Sequence, residues 1–130
     1  MVCLETTFLI DLFRGTDAAA ACLERLQETH EPISIAAPSL LEVATGAELA
    51  EDAKESERLR AFLASVIVLP LDEASALLAG KVNAGLIRAG EVIGAIDTLI
   101  GAIAATHSQR VVTRNVRHFS RVPGLEIERY

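Results

Sequence analysis

Short aliphatic runs recur along this 130-residue chain, each separated from the next by a longer stretch with helical spacing. The runs are Val2-Cys3-Leu4, Pro32-Ile33-Ser34-Ile35, Val66-Ile67-Val68-Leu69, Val111-Val112-Thr113 and Leu125 to Glu128. They are too short for helices and mostly too apolar for strands with one wet face, so they read as buried strands. Strands alternating with helices predict a parallel sheet with helices on both faces.

The intervening stretches carry their own punctuation. Thr6 or Thr7 is placed to cap a helix through Phe8, Leu9, Leu12 and Phe13, which Gly15 ends. Asp17 is placed to cap a second helix running to about Glu28. Pro38 suits the first turn of a helix that continues through Glu42. A charged segment from Glu51 to Ser65 has Leu59, Phe62 and Leu63 at helical spacing. Asp72 opens a long helix to about Ala89, with Gly85 as a weak point, and Ala95 to His107 forms a very apolar one. No repeat or linker divides the chain, so one domain over residues 1–130 is expected.

Bulk properties exclude several classes. The most apolar run, Ile93 to Ala105, is short of the roughly 20 residues a bilayer requires and contains Asp97. No basic region precedes an apolar core at the N-terminus, so no secretory leader is expected. Cys3 and Cys22 lack metal or redox spacing and fit reduced, buried thiols in the cytoplasm. The net charge of −6 opposes nucleic-acid binding, but its distribution is uneven. From His107 onward five arginines face two acids, whereas the rest of the chain is strongly acidic.

Ligands of open parallel sheets bind beyond the carboxyl ends of the strands. Glu5 follows the first predicted strand directly, Glu42 lies a helical turn beyond the loop after the second, and Asn115 follows the fourth. Asp97 interrupts an otherwise apolar helix, where an ionised carboxylate needs a partner. Each acid also has an ordinary explanation: a solvated strand end for Glu5, a first-turn acid facing the helix dipole for Glu42, a helix cap for Asp97. Together they suit a hard divalent cation, Mg²⁺ or Mn²⁺, and metal-assisted attack of water on a phosphodiester.

Four blocks then show a resemblance. Leu4-Glu5-Thr6-Thr7-Phe8-Leu9-Ile10-Asp11 runs on to Leu-Phe-Arg-Gly at Gly15. Pro38-Ser39-Leu40-Leu41-Glu42 and Gly94-Ala95-Ile96-Asp97-Thr98-Leu99-Ile100 follow. Val111 to Phe119 with Val122-Pro123-Gly124-Leu125 closes the series. In this order they resemble the PIN domain, specifically the VapC toxins of toxin–antitoxin pairs. The resemblance implies a three-layer α/β/α sandwich around a mostly parallel sheet of four to five strands. It also implies Mg²⁺- or Mn²⁺-dependent endoribonuclease activity in the cytoplasm. Partners implied are an RNA substrate, a VapB-like antitoxin and a second toxin copy.

By the same resemblance, Glu5 and Asp97 hold the metal and Glu42 acts through water or on the nucleophile. Asn115 is a weak fourth position, and Thr6 and Thr113 orient the carboxylates. Arg114, Arg117 and Arg121 are expected to carry RNA phosphates, unless they form only a solvated basic face, and Arg14 is a similar case. His118 is expected to be a surface or capping residue. The chain departs from the family in having Glu5 where the first acid is normally Asp. Two alternatives stay open: a PIN fold kept for binding RNA or protein with impaired catalysis, and a receiver-like signalling domain.

Overall fold

The computed structural model describes residues 1–130. Five strands, β1 (Val2–Leu4), β2 (Ile33–Ala36), β3 (Ile67–Leu69), β4 (Arg110–Val112) and β5 (Ile127–Glu128), form one sheet. Its order is β3-β2-β1-β4-β5 and every neighbouring pair is parallel. A receiver-like domain has the order 2-1-3-4-5, so that alternative is excluded.

Seven helices connect the strands: α1 (Thr6–Phe13), α2 (Asp17–Glu28), α3 (Ala37–Leu49), α4 (Ala53–Leu63), α5 (Glu73–Ala89), α6 (Ala95–Thr106) and α7 (Val116–Phe119). Val2 and Leu4 point into a core shared with Phe8, Leu9, Ala19, Cys22 and Leu26, against which Val43, Phe62 and Leu63 pack. Cys3 points the other way, toward Ile100, Ile103 and Ala104 of α6 and Phe119 of α7. The central strand is therefore buried on both faces, as its unbroken apolar run demands. The α5 residues Val82 and Leu86 extend the second layer over Ile93 and Val122.

Several local expectations change. Glu5, not a threonine, is the N-cap of α1, and its side chain accepts from the Thr7 backbone N–H. Thr16 rather than Asp17 is the N-cap of α2, leaving Asp17 inside the first turn. No loop separates β2 from α3: Ala36 ends the strand and Ala37 starts the helix. Glu42 consequently lies past the first turn, and the helix dipole does not account for it. Gly94 is the N-cap of α6, so Asp97 is inside the helix and does not cap it. Gly85 leaves α5 unbroken, and Asp72 caps that helix through a reciprocal pair of bonds with Ser75. No helix is long and apolar enough to cross a membrane.

The connections explain where a site can form. From β1 the chain moves outward through β2 to β3, then returns across the sheet to β4 on the other side of β1. The direction of winding reverses at β1, and in open parallel sheets such a reversal is where ligands bind, beyond the carboxyl ends of the strands, here β1 and β4. Leu4 is paired with Val112 in register, so Glu5 and Thr113 emerge side by side.

Candidate active site

Glu5 is only 2% exposed. Its Oε2 accepts from the Thr7 backbone N–H at 3.1 Å, the Thr7 hydroxyl at 2.6 Å and the Thr113 hydroxyl at 2.7 Å. Thr113, fully buried, also accepts from the Asn115 backbone N–H at 2.9 Å. Burial is the largest influence on the Glu5 carboxyl and raises its pKa. The bonds from Thr7 and Thr113 pull downward, while the charge of Asp97 adds to the rise. A buried carboxylate held by three donors, yet still short of full compensation, is a group whose ionised form a cation would stabilise.

Glu42 and Asp97 are fixed in the same manner. The Thr6 hydroxyl donates to Glu42 Oε1 at 2.8 Å and joins α3 to α1. Asp97 Oδ2 is 2.8 Å from His118 Nδ1 and 3.4 Å from Asn115 Nδ2, both brought by the β4–α7 segment. Each of the three carboxylates thus has one oxygen bonded to the protein and a second oxygen with no protein donor.

This donor set fits Mg²⁺ or Mn²⁺, which take oxygen ligands and retain several waters rather than a complete protein cage. As they stand, no three His, Cys, Asp or Glu side chains are grouped to hold a metal ion, so the fit rests on the chemistry of the carboxylate oxygens alone.

The other expected residues are distributed unevenly. Thr6 orients Glu42, whereas Thr113 orients Glu5. Arg114 and Arg117 are exposed just beyond β4, but the Arg114 guanidinium lies 3.4 Å from Asp11 Oδ2. Arg121 donates to the Glu91 carbonyl at 3.3 Å and sits farther along the chain, after α7. His118 is not a plain surface or capping residue, because its ring holds Asp97.

Thr7, Asp11 and Tyr130 were not singled out as site residues by the sequence. Thr7 carried a signal, since a hydroxyl two residues after a buried acid can turn back to it. Asp11 closes the first of the resembling blocks, but nothing there marks its partner, and Tyr130 carries no signal.

This reversal point, with acids at the end of β1 and on α3 and α6 and with Thr113 and Asn115 beyond β4, is that of a PIN domain. The model of the PIN domain family matches residues 2–125, and the chain belongs to that family. Among curated relatives, ribonuclease VapC19 of Mycobacterium tuberculosis is 33% identical over 128 residues, 97% of this chain and 98% of the relative. The tRNA(fMet)-specific endonuclease VapC of Salmonella typhimurium is 33% identical over 107 residues, 81% of this chain and 80% of the relative. Among solved structures, DNA-bound VapBC from Salmonella typhimurium superposes with a TM-score of 0.88 at 28% identity, covering 99% of this chain and 98% of that one. VapBC2 from Rickettsia felis, bound to a DNA fragment from its promoter, shares the fold with a TM-score of 0.87 at 24% identity, covering 100% and 99%.

Proposed function

We propose that this PIN domain is the toxin of a VapBC-type pair, an endoribonuclease that hydrolyses RNA phosphodiesters with Mg²⁺ or Mn²⁺ bound. The observation that carries the reading is the pattern at Glu5, Glu42 and Asp97, each with one oxygen anchored by the protein and one left free. Glu5 and Asp97 hold the cation directly, and Glu42 acts through water or on the nucleophile. When bound, the cation supplies a Lewis acid for the phosphodiester and lowers the pKa of water.

The residues around the acids determine how well they do this. Thr7 and Thr113 fix Glu5, Thr6 fixes Glu42, and His118 with Asn115 fixes Asp97, so the carboxylates are oriented before substrate arrives. Arg114, Arg117 and Arg121 give the acidic crevice a basic flank that attracts RNA phosphates. Cleavage would leave a 5′-phosphate and a 3′-hydroxyl.

A cleft of about 420 Å³ between α1, α3 and α4, lined by Ile10, Phe13, Val43 and Ala47 with Arg14, Glu42 and Glu55, suits an amphipathic segment of a VapB-like antitoxin. Glu42 lines this cleft as well, so an occupant would reach the acids. A homodimer is part of the same proposal, with Leu41 and Leu49 of α3 exposed to contribute. Two free, buried cysteines suit the cytoplasm.

RNA cleavage by the purified chain with Mn²⁺, compared with chelator, tests the activity. Asp97→Asn should abolish cleavage while circular dichroism shows the fold unchanged; full activity in that folded variant would overturn the scheme.

A further inference from the structure

Asp11 has no place in the chemistry above, yet it is a carboxylate on α1 that is only 6% exposed. It lies one turn after Thr7 on α1, and residues spaced in this way share a face. Its Oδ2 accepts from the Tyr130 hydroxyl at 2.6 Å and lies 3.4 Å from Arg114 Nη1. The Tyr130 ring stands edge-on to Phe8, with centroids 4.8 Å apart at 81°. Burial and the bond to Asp11 both raise the Tyr130 pKa, so the phenol stays a neutral donor. Residues 119 apart in sequence are thereby joined at a part-buried position on α1.

Arg114 connects this pair to the acidic crevice. Its backbone N–H donates to the Thr7 hydroxyl at 3.2 Å, and that hydroxyl donates to Glu5. The turn Thr113-Arg114-Asn115 is thus fastened to α1 at two points, the Thr7 hydroxyl and the Asp11 carboxylate. The same turn sends the Thr113 hydroxyl to Glu5 and the Asn115 amide to Asp97. Thr113 is fully buried, so of the three residues the exposed Arg114 is the one whose orientation depends on the two bonds to α1.

We infer that Tyr130 and Asp11 are positioning residues for the candidate site: by holding the Arg114 guanidinium against α1 they lock the turn that aligns Glu5 and Asp97. The ordinary alternative is that the pair merely pins the residues beyond β5 to the body of the protein. The activity arm of the test rests on the proposed ribonuclease function, whereas the exchange arm does not.

Tyr130→Phe removes the hydroxyl and keeps the ring on Phe8. Amide hydrogen exchange, followed by NMR in the full chain without metal, should quicken at Arg114 and Asn115 by about ten-fold. The amides of β1 and α6 should stay unchanged. With Mn²⁺, kcat for RNA cleavage should fall by about ten-fold with KM little altered, the signature of misplaced groups rather than weakened binding.

Asp11→Asn should do the same, and the double variant should be no worse than either single one. Unchanged exchange at Arg114 and Asn115 in Tyr130→Phe overturns the inference, and so do losses that multiply in the double variant. Faster exchange in a chain whose unmodified form cleaves no RNA would leave the locked turn standing and refute the ribonuclease reading instead. Should Asp11→Asn fail to fold, Tyr130→Phe alone decides.

Discussion

Thr113→Val tests the idea that Glu5 is held as a carboxylate by its neighbours. Valine keeps the shape and the branching of threonine, so the fully buried pocket is neither emptied nor overfilled. What disappears is the 2.7 Å bond to Glu5 and the acceptor for the Asn115 N–H. A hydrogen bond to a charged group is worth about 1.5–3 kcal/mol, against about 0.5–1.5 for a neutral one. Asn115 is partly exposed, so water replaces much of its lost partner. Relief from burying a hydroxyl offsets a fraction of the loss. A destabilisation of about 2 kcal/mol at pH 8 follows, measured by urea unfolding in chelator.

The penalty should depend on pH in a definite direction. The folded-state pKa of Glu5 already lies above its ordinary 4.5, chiefly because the group is buried. Stability associated with it is complete below the unfolded pKa and is lost as pH rises through the folded one. Removing a donor that pulls this pKa down moves it further up, so the variant loses more over that window and for longer. The gap between variant and parent should therefore widen from pH 4.5 toward pH 8 and then level off. In Glu5→Gln an acceptor remains without the charge, so adding Thr113→Val should cost about 1 kcal/mol less there than in the parent. A penalty below about 0.5 kcal/mol at both pH values, or full additivity with Glu5→Gln, would refute the reasoning.

Three further outcomes are expected. A Cβ at Gly101 would meet Val122 Cγ2 at 2.9 Å, inside a packed layer. Gly101→Ala should thus lower the melting temperature despite better helix propensity, while Gly85→Ala, with open space around it, should gain about 0.5–1 kcal/mol. Arg110 binds Glu31 at 2.7 Å and Glu128 at 2.6 Å and holds the Glu31 carboxyl below its usual 4.5. Arg110→Gln should cost about 1–3 kcal/mol at pH 7, and denaturant titrations should show the cost shrinking as pH falls from 4.5 through the lower folded-state pKa, below which that carboxylate is protonated folded and unfolded alike. Glu5→Asp should keep the cap on α1, since Asp is a good N-cap, but lose the reach to Thr113 by roughly 1.5 Å. Its RNA cleavage rate should fall, and a rise above the parent would show that the longer side chain impairs the site.

The order of strands and helices was readable because buried parallel strands are uniformly apolar and amphipathic helices repeat their own period. Asp97 stood out for a related reason, as an acid among aliphatic neighbours. The local role of Glu5 was less visible. A residue that ends a strand, caps a helix and accepts from two hydroxyls looks the same in sequence as one that only ends a strand. A loop after β2 would put Glu42 in a first turn, but β2 runs straight into α3 and Glu42 lies farther along the helix. The four-residue helix α7 is too short to carry a period, so nothing in the sequence marks His118 as the partner of Asp97. The Asp11–Tyr130 bond lay beyond any pattern argument, since nothing at either position records the other.

The winding reversal at β1 also sets a schedule. One of the two hydroxyls that orient Glu5 belongs to a residue 108 positions later in the chain. At roughly 5–20 residues per second, translation alone separates that residue from Glu5 by about 5–20 seconds. During that interval β1 lacks its β4 neighbour, and Asp97 lacks His118. The crevice is therefore absent from the nascent chain and appears only when the second half of the sheet docks. Until then the Thr7–Glu5 and Thr6–Glu42 bonds lie within chain already made, whereas the bonds from Thr113 to Glu5 and from His118 to Asp97 wait for the last strands and helix.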